Sequence, residues 1–289
     1  MENSTNINYY PGHMAKAKNE LKNELKLIDI VIEVLDARIP ISSSNKDFND
    51  IFKSKPRIIV LNKSDLSDMD ETLKWKKYFE SENSKVVIMN TENQKNIKEL
   101  LDLVEQVGKM LYNEKNGSKK IDIKPIYRVC IVGIPNVGKS TLINKLAKRD
   151  SVKVGNKPGV TVQSKWVRIG NNIDLLDTPG LLLPKLEGDS GQLLALTGNI
   201  KQEIIDVEEL ACFGIGILKQ DKDYRNLLLN KYSINEKDLE LENYELLELI
   251  GKKCGCIISG GKIDTVRASK LFLEDIKNGR IGNVSFERC

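Results

Sequence analysis

Histidine is almost absent from this sequence of 289 residues, and cysteines and long apolar runs are also scarce. The one histidine is His13, and the five cysteines are scattered and odd in number, which fits reduced thiols better than a disulfide framework. Cys254-Gly-Cys256 has no second ligand pair near it, which argues against a metal site. No stretch approaches the roughly 20 apolar residues of a membrane helix, and no apolar signal-peptide core opens the sequence. We therefore expect a cytoplasmic protein without a membrane partner.

The remaining composition is that of an ordinary globular protein, with 30% charged and 40% hydrophobic residues. A chain of this length has room for one domain of roughly 150 to 200 residues and a smaller second domain. The net charge is +4, and its basic excess lies in residues 1–180, because acidic residues outnumber basic ones in 181–289. This distribution permits RNA contact through local basic patches but does not require it.

Buried-strand patterns alternate with helical spacing in the first 180 residues. Strands are predicted in IVIEVLDAR, RIIVLNKSD, KVVIM, IYRVCIVG and NIDLLD, and helices over 14–28, 71–80 and 97–112. Such alternation predicts an α/β fold with a mostly parallel sheet covered on both faces. Beyond Gly180 the β-branched runs largely disappear and helical spacing dominates. We therefore predict an α/β domain over 1–180 and a small helical domain over 181–289.

A glycine-rich segment, Gly133-Ile-Pro-Asn-Val-Gly-Lys-Ser140, matches the phosphate-loop pattern G-x-x-x-x-G-K-[ST] between a predicted strand and a helix. Its backbone N–H groups would surround the phosphates, Lys139 would reach the β- and γ-phosphates, and Ser140 would ligate Mg²⁺. The expected nucleotide-binding residues here are Asn136, Val137, Gly138, Lys139, Ser140 and Thr141. An incidental glycine-rich turn is a poor alternative explanation of so specific a pattern.

Two further segments are candidates for contacts with Mg²⁺ and the γ-phosphate. Asp177-Thr-Pro-Gly180 follows a predicted strand, where Asp177 could hold a Mg²⁺-bound water and the Gly180 N–H could meet the γ-phosphate. The tetrapeptide alone is also a plausible β-turn, but its distance from the phosphate loop favours the nucleotide role. Thr161 lies in a loop rich in Lys and Gly, where it fits a switch threonine that closes on Mg²⁺, although a surface threonine would look the same.

The segment Asn62-Lys63-Ser64-Asp65 indicates selectivity for guanine. A carboxylate at Asp65 accepts from the ring N–H and the exocyclic amine of guanine, which adenine cannot offer as a pair. The short match is weak alone, but it follows a buried strand directly, where ligands bind in open α/β sheets. In ordinary GTPases this motif follows the phosphate loop, whereas here it precedes it. The order predicts a circularly permuted GTPase domain, cut just after the Asp177–Gly180 segment.

Several segments in their observed order resemble the ribosome biogenesis GTPase A family: YYPGHMAKA, DARIP, NKSD, GIPNVGKST, PGVT, DTPG and a final GC…SGG region. The resemblance implies a GTPase that hydrolyses GTP to GDP and assists a late step of large (50S) ribosomal subunit assembly. Its implied partners are ribosomal RNA and ribosomal protein, contacted with help from the helical domain. We expect a monomer with GTP or GDP and Mg²⁺ as ligands.

One segment departs from the family pattern. The usual Ser-Ala-x-x-Gly-x-Gly, which packs the guanine, here begins Asn90-Thr91 and contains no glycine over residues 90–96. We still place Asn90 and Thr91 in the nucleotide site, with the Thr91 N–H available to the base oxygen. The missing glycines predict a lower nucleotide affinity.

The catalytic group must replace the glutamine that orients water in many GTPases, because the position after Gly180 is Leu181, followed by two further leucines. Imidazole can position water, so His13 is the candidate, and the family resemblance favours this role over a structural or RNA-contacting histidine. Asn136 resembles an asparagine that holds K⁺ against the phosphates in related GTPases. A role in turn geometry explains that asparagine equally well.

Two questions stay open at the level of sequence. Hydrolysis either drives ribosome assembly or merely resets a nucleotide-dependent switch that binds RNA or the ribosome. In the helical domain, exposed basic residues could face RNA phosphates or could be an ordinary solvated helix face. These residues include Lys252, Lys253, Arg267 and Lys270.

Overall fold

A six-stranded sheet forms the centre of the computed structural model, with the strand order β3-β2-β1-β4-β6-β5. The strands are β1 (Ile30–Asp36), β2 (Arg57–Asn62), β3 (Ser84–Ile88), β4 (Tyr127–Val132), β5 (Trp166–Ile169) and β6 (Ile173–Leu176). All neighbouring strands are parallel except β5 and β6, which form an antiparallel edge pair. The structure describes residues 25–45, 48, 51–80, 84–116, 125–149, 166–170, 172–176, 188–201 and 205–289.

Helices lie between the strands and dominate the second part of the chain. The sheet region contains α1 (Met69–Phe79), α2 (Gln94–Asn116) and α3 (Lys139–Arg149). The later part contains α4 (Ser190–Leu196), α5 (Val207–Gln220), α6 (Lys222–Tyr232), α7 (Asn243–Lys253) and α8 (Thr265–Lys277), with a 3₁₀ turn at Glu236–Glu240. The predicted α/β fold followed by helices is therefore confirmed.

The predicted helices differ from the observed ones mainly at their ends. The helix predicted over 97–112 extends over Gln94–Asn116, because a polar amphipathic pattern continues past both predicted boundaries. Of the helix predicted over 14–28, only residues 25–28 are described, and Leu25–Leu27 form a 3₁₀ turn.

Strand β1 shows why both faces of the sheet are covered. All seven of its residues are buried, as its apolar and β-branched sequence predicts. Its one acidic interior residue, Glu33, is paired with Arg57 of β2 at 2.5 Å. Burial raises the pKa of Glu33, although Arg57 acts in the opposite direction. The sheet therefore tolerates this carboxyl group because a cation from the neighbouring strand meets it.

The strand order agrees with a circular permutation of the chain. β4, which leads into the phosphate loop, is only the fourth strand in sequence but lies beside β1 on one side and β6 on the other. The parallel registers place Asp36 opposite Asn62 and Glu33 opposite Val132, so β1, β2 and β4 end at the same edge of the sheet. Segments from before and after the phosphate loop thus meet at one ligand-binding edge.

The helical part packs around α5 and α8. Gly214 of α5 allows the close approach of Leu196 and Phe272, because a Cβ at Gly214 would lie only 2.8 Å from the Leu196 side chain. The side chains of Asp206 and Asp221 cap the amino ends of α5 and α6. Among the described residues, no helix combines the length and the apolar character needed to cross a bilayer.

Candidate nucleotide-binding site

The phosphate loop, residues 133–138, has a backbone that only glycine can adopt at its two ends. Gly133 and Gly138 have φ angles of 147° and 106°, in the region that disfavours side chains. A Cβ on Gly133 would lie 2.5 Å from the carbonyl oxygen of Val34, and one on Gly138 would lie 2.2 Å from Nδ2 of Asn62. The loop therefore fits between the ends of β1 and β2 only because both residues lack side chains.

Lys139 opens helix α3 directly after this loop. It is largely buried, and its Nζ donates a hydrogen bond to the carbonyl oxygen of Ile134 at 2.5 Å. Burial lowers the pKa of Lys139 to about 8. The next residue, Ser140, is exposed in the first turn of the helix, where N–H groups and the helix dipole favour anions. A buried amine and an exposed hydroxyl thus flank an anion-binding helix end.

Asn62 joins the guanine-reading segment to the phosphate loop. Its Nδ2 donates to the carbonyl oxygen of Val137 at 2.7 Å, and its Oδ1 accepts from the backbone N–H of Thr91 at 3.2 Å. Asn62 and Thr91 are both buried. One side chain therefore fixes three segments that the sequence associates with nucleotide binding.

The guanine-reading loop, residues 63–68, turns sharply after β2. Lys63 adopts a left-handed conformation with a φ of 60°, and Leu66 N–H donates to Lys63 O at 2.9 Å. The Ser64 N–H donates to Met89 O at 3.2 Å, which ties the loop to the end of β3. At the tip of this turn the side chain of Asp65 is exposed. The loop therefore presents a carboxylate at the same sheet edge as the phosphate loop.

Lys63 itself belongs to a buried network of charges. Its Nζ donates to Asp36 Oδ2 at 2.8 Å and to Asn199 Oδ1 at 3.3 Å. Arg38 Nε and Nη2 also donate to the Asp36 carboxylate, at 3.0 and 2.8 Å. Burial alone would raise the pKa of Asp36, but Arg38 and Lys63 hold it well below its usual range. One carboxylate thus fixes two cations beneath the guanine-reading loop.

Segment 90–96, which contains no glycine, takes its shape from hydrogen bonds of asparagine side chains. Asn90 Oδ1 accepts from the Glu92 N–H at 2.8 Å, and Asn93 Oδ1 accepts from the Lys95 N–H at 3.0 Å at the start of α2. Asn96 Oδ1 accepts from the Asn90 N–H at 3.1 Å. These bonds stabilise the turn locally. The Thr91 N–H, which the sequence assigned to the base oxygen, instead donates to Asn62 in this structure.

Comparison with known proteins agrees with this geometry. Residues 128–253 match the family model described as "50S ribosome-binding GTPase". The chain is 43% identical over 285 residues to ribosome biogenesis GTPase A of Bacillus licheniformis, with 98% of each chain covered. It belongs to the ribosome biogenesis GTPase A family. The family protein of Thermotoga maritima is 32% identical over 285 residues, which cover 98% of this chain and 94% of that protein.

Solved structures of the ribosome biogenesis GTPase A family share the fold. The GDP-bound structure of TM YlqF aligns with a TM-score of 0.64 and 29% identity, covering 93% of this chain and 98% of that chain. The GNP-bound structure of YlqF from T. maritima gives a TM-score of 0.63 and 30% identity, covering 94% and 98%. This chain is accordingly a guanine-nucleotide-binding GTP hydrolase with the permuted domain that its motif order predicts.

Sequence reasoning missed a buried residue of the candidate site, Asn199. Its backbone carbonyl accepts from Asn136 Nδ2 at 3.2 Å, and its side-chain Nδ2 donates to Asp36 Oδ2 at 3.0 Å. Asn199 therefore touches the phosphate loop and the charged network from the segment after α4. Its nearest sequence signal is Gly198, a glycine with a φ of 75° that marks a turn.

Four residues that the sequence assigned to catalysis, Mg²⁺ or the γ-phosphate lie outside the described residues. They are His13, Thr161, Asp177 and Gly180. The structure describes the residues predicted to bind the nucleotide phosphates in the phosphate loop and in the first turn of α3, namely Asn136, Val137, Gly138, Lys139, Ser140 and Thr141. The structure thus describes the residues that the sequence predicts for the base and for the phosphate loop.

Proposed function

We propose that this chain hydrolyses GTP to GDP in the cytoplasm and thereby assists a late step of 50S subunit assembly. The family name supports a role in ribosome biogenesis. The observation that carries the site assignment is the double hydrogen bond of Asn62, to Val137 O and from the Thr91 N–H. It brings the base-reading and phosphate-binding segments within reach of one nucleotide.

The proposed nucleotide lies across the common edge of β1, β2 and β4. Its phosphates are held by the N–H groups of the phosphate loop and by Lys139, and its guanine is read by Asp65. Asn90, Thr91 and Ser64 border the base. A side chain at Gly138 would collide with Asn62, which fits a cradle that must leave room for phosphate oxygens.

Ser140, Thr161 and Asp177 are the proposed Mg²⁺ ligands. The fit is supported at Ser140, an exposed hydroxyl beside the buried Lys139 at a helix amino end. Bound there, Mg²⁺ would neutralise charge on the β- and γ-phosphates. The Gly180 N–H is the proposed donor to the γ-phosphate.

Potassium is proposed as a second cation beside Asn136. The side chain of this residue is exposed, and its Nδ2 donates to Asn199 O at 3.2 Å. That contact orients the amide and leaves Oδ1 as the oxygen available to a cation. The positive φ of 57° also supports the simpler role of Asn136 in shaping the turn.

His13 is the proposed catalytic residue. Leu181 and the two leucines after it cannot hydrogen-bond a water molecule, whereas imidazole can orient one for attack on the γ-phosphate. We propose that a large-subunit particle orders His13 and so accelerates a slow intrinsic reaction. The alternative is a switch that binds RNA or the ribosome according to its nucleotide, with hydrolysis only resetting it.

Residues 181–289 are proposed as the ribosome-binding domain of a monomeric protein. The exposed Lys252, Lys253, Arg267 and Lys270 lie on α7 and α8, where they can meet RNA phosphates. Residues 1–180 are proposed as the GTPase domain. Binding to RNA through these basic side chains should weaken steeply as the salt concentration rises.

The test compares GTP turnover with and without purified 50S particles. We expect particles to accelerate the wild-type protein at least about tenfold and the His13→Ala variant much less, because positioned groups contribute about 10²- to 10⁴-fold. Lack of acceleration, or full acceleration of His13→Ala, would favour the binding switch. Co-sedimentation of the GDP-loaded and non-hydrolysable-analogue-loaded forms with the same particles measures that switch directly.

Guanine reading is tested separately with the Asp65→Asn variant. An amide presents a donor where the carboxylate accepts, so this variant should lose affinity for GDP and gain affinity for xanthosine diphosphate. An unchanged preference for GDP would remove Asp65 from the base site.

A further inference from the structure

The last six residues of the sequence, segment 284–289, lie against the guanine-reading loop. Val284 N–H donates to Leu66 O at 3.0 Å, immediately next to Asp65. Ser285 Oγ accepts from the Asp68 N–H at 3.2 Å. Val284 and Ser285 are both buried. Two consecutive residues therefore hold the backbone directly after the carboxylate that is proposed to read guanine.

The same segment also holds the loop that follows β1. Phe286 N–H donates to Arg38 O at 2.8 Å. The Glu287 carboxylate accepts from the N–H groups of Ile41 and Ser42 at 2.7 and 2.9 Å, and from Ser42 Oγ at 2.5 Å. Segment 284–289 thus contacts the loops that follow β1 and β2.

The helical part of the chain reinforces this arrangement. The Tyr224 hydroxyl of α6 accepts from the Ser285 N–H at 3.1 Å and donates to Asp68 Oδ2 at 3.2 Å. The side chain of Leu66 packs against the turn after α8, where a Cβ on Gly279 would lie 2.7 Å from Leu66 Cδ2. Two helices therefore support the contact between segment 284–289 and loop 63–68.

Loop 63–68 has few bonds of its own around Asp65. Within the loop, the Leu66 N–H donates to Lys63 O and Ser67 Oγ donates to Ser64 O at 3.3 Å, and the Ser64 N–H reaches Met89 O. The carbonyl and side chain of Leu66 are held from outside, by Val284 and the Gly279 turn. Base selectivity requires a fixed carboxylate, because discrimination depends on correctly placed hydrogen-bond partners.

We propose that segment 284–289 is a positioning element for guanine recognition, which holds Asp65 in the direction that reads the exocyclic amine of the base. This inference rests on the proposed role of Asp65. Its consequence is a thermodynamic link: release of the segment weakens selectivity for guanine, and guanine binding stabilises the docked segment. The helical part of the chain therefore contributes to base recognition without touching the base.

The first experiment measures dissociation constants for GDP and inosine diphosphate, which lacks the exocyclic amine. The test variant is the double substitution Ser285→Ala/Glu287→Gln. The control is Ser259→Ala/Glu274→Gln, which makes the same two changes at exposed positions of the helical part. The exocyclic amine donates a hydrogen bond to a charged group, which predicts that the wild-type protein prefers GDP to inosine diphosphate by about 10- to 100-fold. We expect the test variant to lose at least about threefold of this preference and the control to keep it.

The ratio of the two constants separates positioning from general damage. A change that only lowers stability weakens both nucleotides equally and leaves the ratio unchanged, which would overturn the inference. If the wild-type protein itself binds GDP and inosine diphosphate equally, the proposed role of Asp65 fails, and the inference fails with it. If the wild-type protein prefers GDP and the test variant keeps the same ratio of dissociation constants, only the positioning role is rejected.

The second experiment uses the unaltered protein, so it does not depend on how the variant folds. Amide hydrogen exchange is followed at Val284, Ser285 and Phe286, whose N–H groups all donate in the docked segment. At equal saturation, GDP should slow their exchange more than inosine diphosphate does. Equal protection by the two nucleotides would overturn the link.

Discussion

The phosphate loop and the guanine-reading loop lie side by side at one sheet edge, but distant parts of the chain hold the second loop more extensively than the first. The phosphate loop takes its shape from Gly133 and Gly138, and Lys139 bonds back to Ile134 within the same segment. The guanine-reading loop is held by Asn199 and by segment 284–289, from far along the sequence. The phosphate loop also accepts a single hydrogen bond from Asn62 and donates one to Asn199, but its shape is set largely by its own residues, whereas several residues of the helical part hold the guanine-reading loop.

Asp36→Asn should produce the largest effect, because it breaks the support beneath the guanine-reading loop. Arg38 and Lys63 would lose the buried carboxylate that pairs with both of them. Removing one partner of a buried ion pair costs about 3 to 5 kcal/mol, so we expect a fall of this size in the free energy of unfolding. Urea denaturation of the purified variant measures it.

The matched control is Asp174→Asn, which breaks the partly exposed ion pair with Arg168 on the β5–β6 edge. We expect a loss below about 1 kcal/mol there. The pKa of Asp36 is lowered from its ordinary 3.8, so its stabilising contribution is present above that pH and falls away below it. Equal losses for Asp36→Asn and Asp174→Asn would contradict the importance of the buried network.

Gly138→Ala tests how strongly the phosphate loop depends on its own glycine residues. The new Cβ would lie 2.2 Å from Asn62 Nδ2 at a φ of 106°, so both the backbone and the Asn62 bridge must shift. The backbone strain costs about 1 to 3 kcal/mol, and a buried hydrogen bond is lost as well. We therefore expect the affinity for GDP to fall roughly 100-fold. Fluorescence titration with a labelled GDP measures the affinity.

Gly255→Ala is the control for backbone strain alone. Gly255 also has a positive φ, of 69°, but no atom of the described structure lies within 4 Å of its added Cβ. Its GDP affinity should stay within about twofold of the wild-type value, since it is remote from the loop. If both variants weakened GDP binding alike, close packing against Asn62 would not be the cause.

The pH dependence of GDP binding tests whether the charge on Lys139 contributes to binding. Burial places its pKa at about 8 in the nucleotide-free protein, and phosphate oxygens favour the charged amine. Binding therefore takes up a proton as the pH rises above 8, and affinity should fall by up to about tenfold per pH unit. Calorimetry in two buffers of different ionisation enthalpy measures the proton uptake.

Lys139→Arg supplies the control for that profile. A guanidinium group stays charged throughout this pH range, so the variant should bind GDP with an affinity that changes little between about pH 8 and 9. A slope as steep as that of the wild-type protein would assign the titration to another group.

The sequence predicted the phosphate loop well because its determinants are contiguous. Two glycines, a lysine and a serine between a strand and a helix specify most of this backbone shape locally. The end of β2 was also predictable, because strand pattern and motif coincide at Asn62. Motif order then led to the permuted sheet, which the strand order confirms.

The supports of the guanine-reading loop could not be predicted in the same way. Lys63 and Asn199 are 136 positions apart, and the final contacts of 284–289 involve single side chains and N–H groups in an irregular segment. Neither periodicity nor a motif marks such contacts. The asparagines at 90, 93 and 96 did carry a signal, because Asn side chains commonly hydrogen-bond the backbone of a turn.

The smallest expected effect concerns how segment 90–93 is held. Glu92 forms an ion pair with Lys145 of α3, but the Glu92 side chain is 65% exposed, so Glu92→Gln should change GDP affinity by less than about twofold. Asn90→Ala removes the Asn90 acceptor of the Glu92 N–H and should weaken GDP binding by about fivefold. The same labelled-GDP titration compares the two. A larger loss in Glu92→Gln would mean that the surface charge, and not the asparagine side chain, shapes this turn.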